Sequence, residues 1–280
     1  MANTSKDRRE EAKAAAAALR AKQAQAAARQ RTIAIGALVV GLAVVGVLVA
    51  VILNQGGSGQ TATGEQVIPA AASDRGGMVF DQTGLLEPGE ADGDVPWPQS
   101  LAADGGPVVV TVFFDFMCPW CGVFEQTQAG ALDQMLASGD IVIESRPVSI
   151  LDRFSNGTQF STRSAAAAFA VAQGSPEHYF EFVEAMMAEG TQPAENTPGL
   201  TNEQIAAIAE GLGVPQAVQD QIISGAYVDY VAVATERASQ DLGSLSTPTV
   251  LINGQNLTQD LRVDWTQPGA LEAAVQAAKG

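Results

Sequence analysis

The stretch VVVTVFFDFMCPWC, residues 108–121, decides the fold of this chain. Its first seven residues are nearly all apolar and β-branched or aromatic, a pattern typical of a strand buried on both faces of a sheet. Pro119 then favours the first turn of a helix, because proline has a fixed φ and no backbone N–H to leave unpaired. We therefore predict a strand over residues 108–114 and a helix from Pro119 to Ala137, with Cys118 at the helix N-terminus.

Cys118 and Cys121 are the only cysteines among the 280 residues. Unpaired N–H groups and the positive end of the helix dipole favour a thiolate at Cys118, and Cys121 lies on the same helical face, within reach for a disulfide. We predict a redox pair in which Cys118 is exposed and reactive and Cys121 is buried. Three alternatives stay open: a zinc site shared across a dimer, two inert buried thiols, and an inert structural disulfide. With one His and no further Cys, the chain cannot supply four zinc ligands alone, so we predict neither a metal nor a cofactor.

The pattern outside this stretch predicts a mixed α/β fold. Residues 141–145 form a second strand, and strand–helix–strand at this spacing indicates a parallel pair. Residues 78–80 are a candidate short strand. The chain should end with a strand entered through Pro248, an Asn-Gly turn, a short strand and a helix over residues 269–279. The helices predicted between these parts cover residues 161–173, 177–188, 201–211, 215–224 and 227–242.

Residues 33–53 form a run of twenty-one residues without a charged side chain. As a helix, this run would span about 30 Å, the thickness of the hydrocarbon core of a bilayer. Residues 1–32 are rich in alanine and carry a net charge of +5, and the rest of the chain carries −21, which together give the net charge of −16. By the positive-inside rule we predict a retained transmembrane helix with a cytoplasmic N-terminus and an extracytoplasmic remainder, where disulfides persist. The acidic outer part argues against nucleic acid as a partner.

Two segments carry a resemblance to a known family. They are FFDFMCPWC, residues 113–121, and STPTVLING, residues 246–254. Over residues 75–280 the chain resembles the DsbA-like thiol:disulfide interchange proteins, which have a thioredoxin-like α/β fold with an inserted all-helical domain. The anchored style, rich in Ala, Val and Gly, is similar to that of actinobacterial members.

The resemblance implies the residues of the site. Cys118 and Cys121 would be the catalytic pair, and the Thr247–Pro248 bond would be cis and lie against them. Such a turn leaves backbone groups free to pair with an extended substrate. Thr247, Pro248, Pro119 and Trp120 are therefore the predicted substrate-binding residues.

Two positions depart from the family pattern. Trp120 stands where the family's oxidases often have His, and Val112 stands where thioredoxins have a buried acid, six residues before the first cysteine. Asp115, three residues before Cys118, is the nearest acid and a candidate proton relay. A loop-capping or surface role for Asp115 is the alternative.

The predicted organisation follows from these observations. In chain order, it comprises a cytoplasmic basic segment (1–32), a transmembrane helix (33–53), a flexible tether (54–74), the first part of a thioredoxin-like domain (75–160), an all-helical insertion (161–242) and the second part of the thioredoxin-like domain (243–280).

The predicted activity is thiol:disulfide exchange, in the form of a dithiol oxidase acting on secreted proteins with reduced cysteines. The resemblance implies reoxidation by a quinone-linked membrane enzyme of the DsbB or VKOR type. Because the reduction potential sets the direction of exchange, a reductase or isomerase of the same fold is one alternative. A non-catalytic extracytoplasmic binding or chaperone module is the other.

Overall fold

A six-stranded sheet forms the centre of the structure, a computed structural model that describes residues 67–90 and 97–279. In the order β2-β1-β4-β3-β5-β6, the central pair β3 and β4 is parallel and every other pair is antiparallel. The strands are β1 (Met78–Asp81), β2 (Gly84–Leu85), β3 (Val108–Phe114), β4 (Ile141–Pro147), β5 (Thr249–Ile252) and β6 (Gln255–Asn256). The strand predicted over residues 108–114 and its parallel partner are thus confirmed.

Seven α-helices surround the sheet within the described residues. They are α1 (Pro119–Ala137), α2 (Phe160–Gly174), α3 (Tyr179–Met187), α4 (Asn202–Gly211), α5 (Gln216–Ser224), α6 (Val228–Leu242) and α7 (Ala270–Ala278). Short 3₁₀ segments precede β3, α2 and α3, at Gln99–Gly105, Asp152–Phe154 and Pro176–His178. The predicted bounds of α1 are confirmed at both ends.

Strand β3 is buried along its whole length because both faces of the sheet are covered. Val110 and Phe114 point into the main hydrophobic core, which the helices α1, α2 and α3 complete. On the opposite face Val109 packs with Trp97, and Phe113 packs with Ala238 of α6. A strand covered on both sides has no solvent face, which explains the apolar run in its sequence.

Three predicted boundaries were wrong. Strand β4 continues to Pro147 instead of ending at residue 145. The last major strand begins at Thr249 rather than Thr247, because Pro248 has no N–H to give to the ladder. The helix predicted over residues 177–188 is divided into a 3₁₀ turn, Pro176–His178, and the α-helix α3. The other middle helices agree with prediction to within one residue. Helix α4 starts with the predicted capping box, in which Thr201 and Gln204 bond reciprocally.

The middle helices share the main core with the sheet. Tyr179 of α3 stacks on Phe80 of β1, with ring centroids 4.7 Å apart, and Phe169 of α2 lies in the same core cluster.

The predicted segments 1–32 and 33–53, and most of the tether, lie outside the described residues. Among residues 67–90 and 97–279 there is no helix with the length and apolar character needed to cross a membrane.

Candidate active site

Cys118 lies at the point where β3 has ended and α1 begins. Its backbone is extended (φ −76°, ψ 116°), and its carbonyl accepts the first helical hydrogen bonds, from the N–H groups of Cys121 (3.0 Å) and Gly122 (3.3 Å). Both thiols are free, with Cys118 6% exposed and Cys121 1% exposed. The predicted burial of Cys121 is confirmed, while the predicted exposure of Cys118 is wrong: the residue is buried, with its sulfur 3.3 Å from the Thr247 carbonyl in the loop before β5.

The two thiols have opposite pKa shifts. A hydrogen bond from the Cys121 thiol lowers the pKa of Cys118 to about 6, and hydrogen bonds from Thr247 and from the backbone of Cys121 and Trp120 add to this, against the effect of burial. Burial raises the pKa of Cys121 well above 9, and the adjacent Cys118 raises it further. Cys118 is therefore the thiolate, and hence the nucleophile, at neutral pH.

The second sequence segment meets the first at this point. The Thr247–Pro248 bond is cis, as predicted, and the Cys118 sulfur lies 3.3 Å from the Thr247 carbonyl oxygen, to which it donates a hydrogen bond in its protonated form. The contact spans 129 residues of sequence and is made possible because β5 pairs directly with β3.

Asp115 caps the loops beside the site. Its carboxylate accepts hydrogen bonds from the backbone N–H groups of Met117 (2.9 Å), Ile150 (2.9 Å) and Leu151 (3.0 Å), and the residue is fully buried. Burial raises the pKa of Asp115, and these hydrogen bonds oppose the rise. The geometry matches the loop-capping alternative, and the proton-relay role stays a prediction.

Pro119 and Trp120 face solvent beside Cys118. Trp120 is 60% exposed, and its ring makes an edge contact with Trp265, with centroids 6.5 Å apart. Trp265 also packs edge-on against Phe124 (5.3 Å). Two tryptophans from different parts of the chain thus form an apolar surface next to the reactive sulfur.

A cavity of about 40 Å³ lies beneath the cysteines, between α1, α3 and the sheet. Cys121, Val112 and Glu125 are among its lining residues, so an acid from the helix borders the same cavity as Cys121. Burial, and then the charges of Asp133 and Glu184, raise the pKa of Glu125 to about 7. The volume is large enough for a water molecule, which could connect the carboxyl group to the Cys121 sulfur.

The sequence model of the thioredoxin family matches residues 103–268 of this chain, more than half of its length. The chain belongs to the thioredoxin family. Two solved structures from Mycobacterium tuberculosis resemble this thioredoxin-family protein. DsbA is 28% identical in sequence with a TM-score of 0.57, and the match covers 73% of this chain and 93% of the DsbA chain. The disulfide bond oxidoreductase DsbG is 29% identical with a TM-score of 0.56, and the match covers 72% of this chain and 86% of the DsbG chain.

A curated relative is the serine/threonine-protein kinase PknE from Mycobacterium tuberculosis, 28% identical over 142 residues. The match covers 50% of this chain and 25% of the kinase, so the chain spans about a quarter of the length of that relative. Together, the family match and the similar structures confirm the predicted resemblance to the DsbA-like thiol:disulfide oxidoreductases.

Three residues at the site were not predicted from sequence: Glu125, Gln192 and Trp265. Glu125 follows Cys121 by four positions in α1, so helical spacing alone could have placed it on the same face. Gln192 and Trp265 lie in loops, and no local pattern identifies them.

Proposed function

We propose that this thioredoxin-family protein is a dithiol oxidase that gives its disulfide to exported proteins. The observation that carries the proposal is the low pKa of the Cys118 thiol, about 6. Interactions that lower this pKa stabilise the reduced pair relative to the disulfide. A pair whose reduced form is stabilised is a stronger oxidant, so its disulfide is transferred to other thiols.

The reaction takes two exchanges. A substrate thiolate attacks the Cys118 sulfur, the Cys118–Cys121 bond breaks, and the electron pair leaves on Cys121, which then takes up a proton. A second substrate thiolate attacks the substrate sulfur of the mixed disulfide and releases Cys118 as a thiolate. The low pKa of Cys118 makes it a good leaving group in this second step.

Glu125 is suited to exchange a proton with Cys121. The departing Cys121 thiolate is buried and strongly basic, so it requires a proton donor in the same enclosed space. With a pKa of about 7, the Glu125 carboxyl is protonated in about half of the molecules at neutral pH, and it lines the cavity that Cys121 also lines.

The substrate would approach over Trp120 and the loop that carries Thr247. Trp120 offers an exposed ring to apolar side chains next to the substrate cysteine, and Pro119 extends the same surface. The Thr247–Pro248 turn supplies backbone groups beside the Cys118 sulfur. An unfolded substrate could pair with these groups along its own backbone.

The location and the partners are proposed from the sequence. The uncharged run over residues 33–53 and the basic residues before it support a single-pass anchor with the catalytic part outside the cytoplasm. Reoxidation would then come from a quinone-linked enzyme in the same membrane. Protease added to intact spheroplasts is expected to digest the outer part and leave a small membrane-bound fragment. Full protection, or release of the outer part without protease, would contradict this location.

The redox state of the pair in living cells tests the direction of exchange. Thiols are alkylated in acid-quenched cells, and the two forms of the full chain are separated by mass. An oxidase is expected to be mainly oxidised, because its partner regenerates the disulfide. A mainly reduced protein would instead indicate a reductase or isomerase and would overturn the proposal.

A further inference from the structure

Gln192 reaches the active site from the segment between α3 and α4. Its side-chain amide nitrogen donates hydrogen bonds to the carbonyl groups of Phe116 (3.1 Å) and Cys118 (2.9 Å). Its own backbone is held by the Ala188 carbonyl (3.0 Å), directly after α3 ends. A residue 74 positions from Cys118 in sequence thus contacts the residue that carries the reactive thiol.

Two residues, Asp115 and Gln192, hold the turn from Phe116 to Cys118. Asp115 accepts hydrogen bonds from the N–H groups of the turn: its carboxylate accepts from the Met117 N–H (2.9 Å), and its carbonyl accepts from the Cys118 N–H (2.9 Å). Gln192 donates hydrogen bonds to carbonyl groups of the same turn. The two residues therefore bind complementary polar groups, and neither can replace the other.

Gly122 shows how closely the Gln192 amide is seated. A Cβ atom built on Gly122 would lie 2.2 Å from the Gln192 side-chain oxygen and 3.0 Å from its amide carbon. The amide therefore lies directly against the first turn of α1, in space that only glycine at position 122 leaves free.

We propose that Gln192 is a positioning residue for thiol:disulfide exchange, whose amide holds the turn from Phe116 to Cys118 so that the Cys118 sulfur stays at the N-terminus of α1. The backbone N–H groups of Trp120 and Cys121 can stabilise the thiolate only while the sulfur keeps this position. Loss of the amide removes its hydrogen bond to the Phe116 carbonyl and one of the three hydrogen bonds to the Cys118 carbonyl, and this loosens the turn. The inference rests on the proposed thiol:disulfide exchange and holds for either direction of transfer.

Gln192→Ala and Gln126→Ala in the reduced full chain form the matched pair for the test. Gln126 also joins α1 to the end of α3, through its hydrogen bond to the Met187 carbonyl (3.3 Å), but no hydrogen bond connects its side chain to the turn. The rate of Cys118 alkylation is measured against pH. We expect Gln192→Ala to raise the pH midpoint of the alkylation rate. At pH values below the midpoint, the fraction of Cys118 present as thiolate should fall about three- to tenfold, which corresponds to the loss of one hydrogen bond. Gln126→Ala should leave the midpoint unchanged.

Gly122→Ala gives an independent test that keeps Gln192 in the chain. The added methyl group would displace the amide, while alanine favours the helix over glycine, so the variant is expected to fold. Its alkylation midpoint should rise as in Gln192→Ala, whereas Gly130→Ala on the same helix, with open space around it, should leave the midpoint unchanged. Unchanged midpoints in both Gln192→Ala and Gly122→Ala, or equal shifts in the Gln126→Ala and Gly130→Ala controls, would overturn the proposal.

Discussion

Two chemically identical thiols, three residues apart, differ because of their surroundings. Cys118 is at the end of a helix, where N–H groups and the Cys121 thiol donate to its sulfur. Cys121 is one turn inside the helix, where burial disfavours its charge. In the reduced pair, this asymmetry makes Cys118 the thiolate and leaves Cys121 protonated before any substrate binds.

Alkylation of the reduced full chain should distinguish the two thiols. With a pKa of about 6, Cys118 is about 90% thiolate at pH 7, while Cys121 is almost entirely protonated. We expect Cys118 to be modified at least tenfold faster, as followed by mass spectrometry of peptides. In Cys121→Ala, loss of the thiol whose hydrogen bond contributes most to the shift should raise the Cys118 pKa. Equal rates at the two cysteines would refute the assignment.

Glu125 should make folding stability depend on pH. Its pKa rises from 4.5 to about 7 on folding, so the folded protein holds this proton more tightly than the unfolded chain. The stabilisation is complete below pH 4.5 and is lost as the pH rises through 7. Since one pKa unit corresponds to about 1.4 kcal/mol and Glu125 keeps some solvent contact, the loss should be about 1–3 kcal/mol.

Glu125→Gln removes this titration. Chemical unfolding of wild type and variant between pH 4.5 and pH 8 should show the variant gaining relative stability as the pH rises. If the free energies of unfolding of the two proteins differ by a constant amount over that range, the Glu125 carboxyl titrates without a shift, and the prediction is wrong.

At the scale of elements, buried charge joins helix α6 to the central sheet. Arg146 of β4 is 3% exposed, its guanidinium pairs with Asp241 at 2.5 Å, and it lies over the Phe113 ring at 4.7 Å. Arg75, from the segment before β1, also pairs with Asp241. The Asp241 carboxylate thus connects α6 with β4 and with the segment before β1, next to strand β3.

Asp241→Ala should destabilise the protein by about 2–3 kcal/mol, because it leaves the charge of Arg146 buried without its partner. Lys279→Ala is the comparison, since the Lys279–Asp140 pair lies at the surface and should contribute little. The free energy of unfolding by denaturant measures both. Similar values for the two variants would mean that the buried pair is not a structural connection.

At the scale of the whole molecule, the sequence predicted those features that depend on local patterns. The bounds of α1 and the parallel pair β3–β4 follow from runs of residues with a direct physical meaning, whereas the cis bond before Pro248 was implied by the family resemblance. The meeting of Cys118 with Thr247 was predicted from the two family segments. These features are specified within short stretches of chain.

The rest of the site depends on packing between distant segments. One glutamine among many cannot be identified as the partner of the Cys118 carbonyl until α3 is placed against α1, and Gln192 was therefore missed. From the sequence, Asp115 was the candidate acid near the cysteines, whereas the acid that lines a cavity together with Cys121 is Glu125 of the helix. The cis bond between Trp97 and Pro98 was likewise not predicted.

The equilibrium of the Cys118–Cys121 pair with a glutathione redox buffer tests the central claim most directly. The full chain in detergent is brought to equilibrium over a range of buffer ratios, and the oxidised fraction is read by thiol alkylation, with Cys118→Ser as the blank. Because the Cys118 thiolate is stabilised, we expect a reduction potential between about −200 and −120 mV, in the range of disulfide donors. A potential near that of a dithiol reductase, about −270 mV, would contradict the claim that this pair donates disulfides.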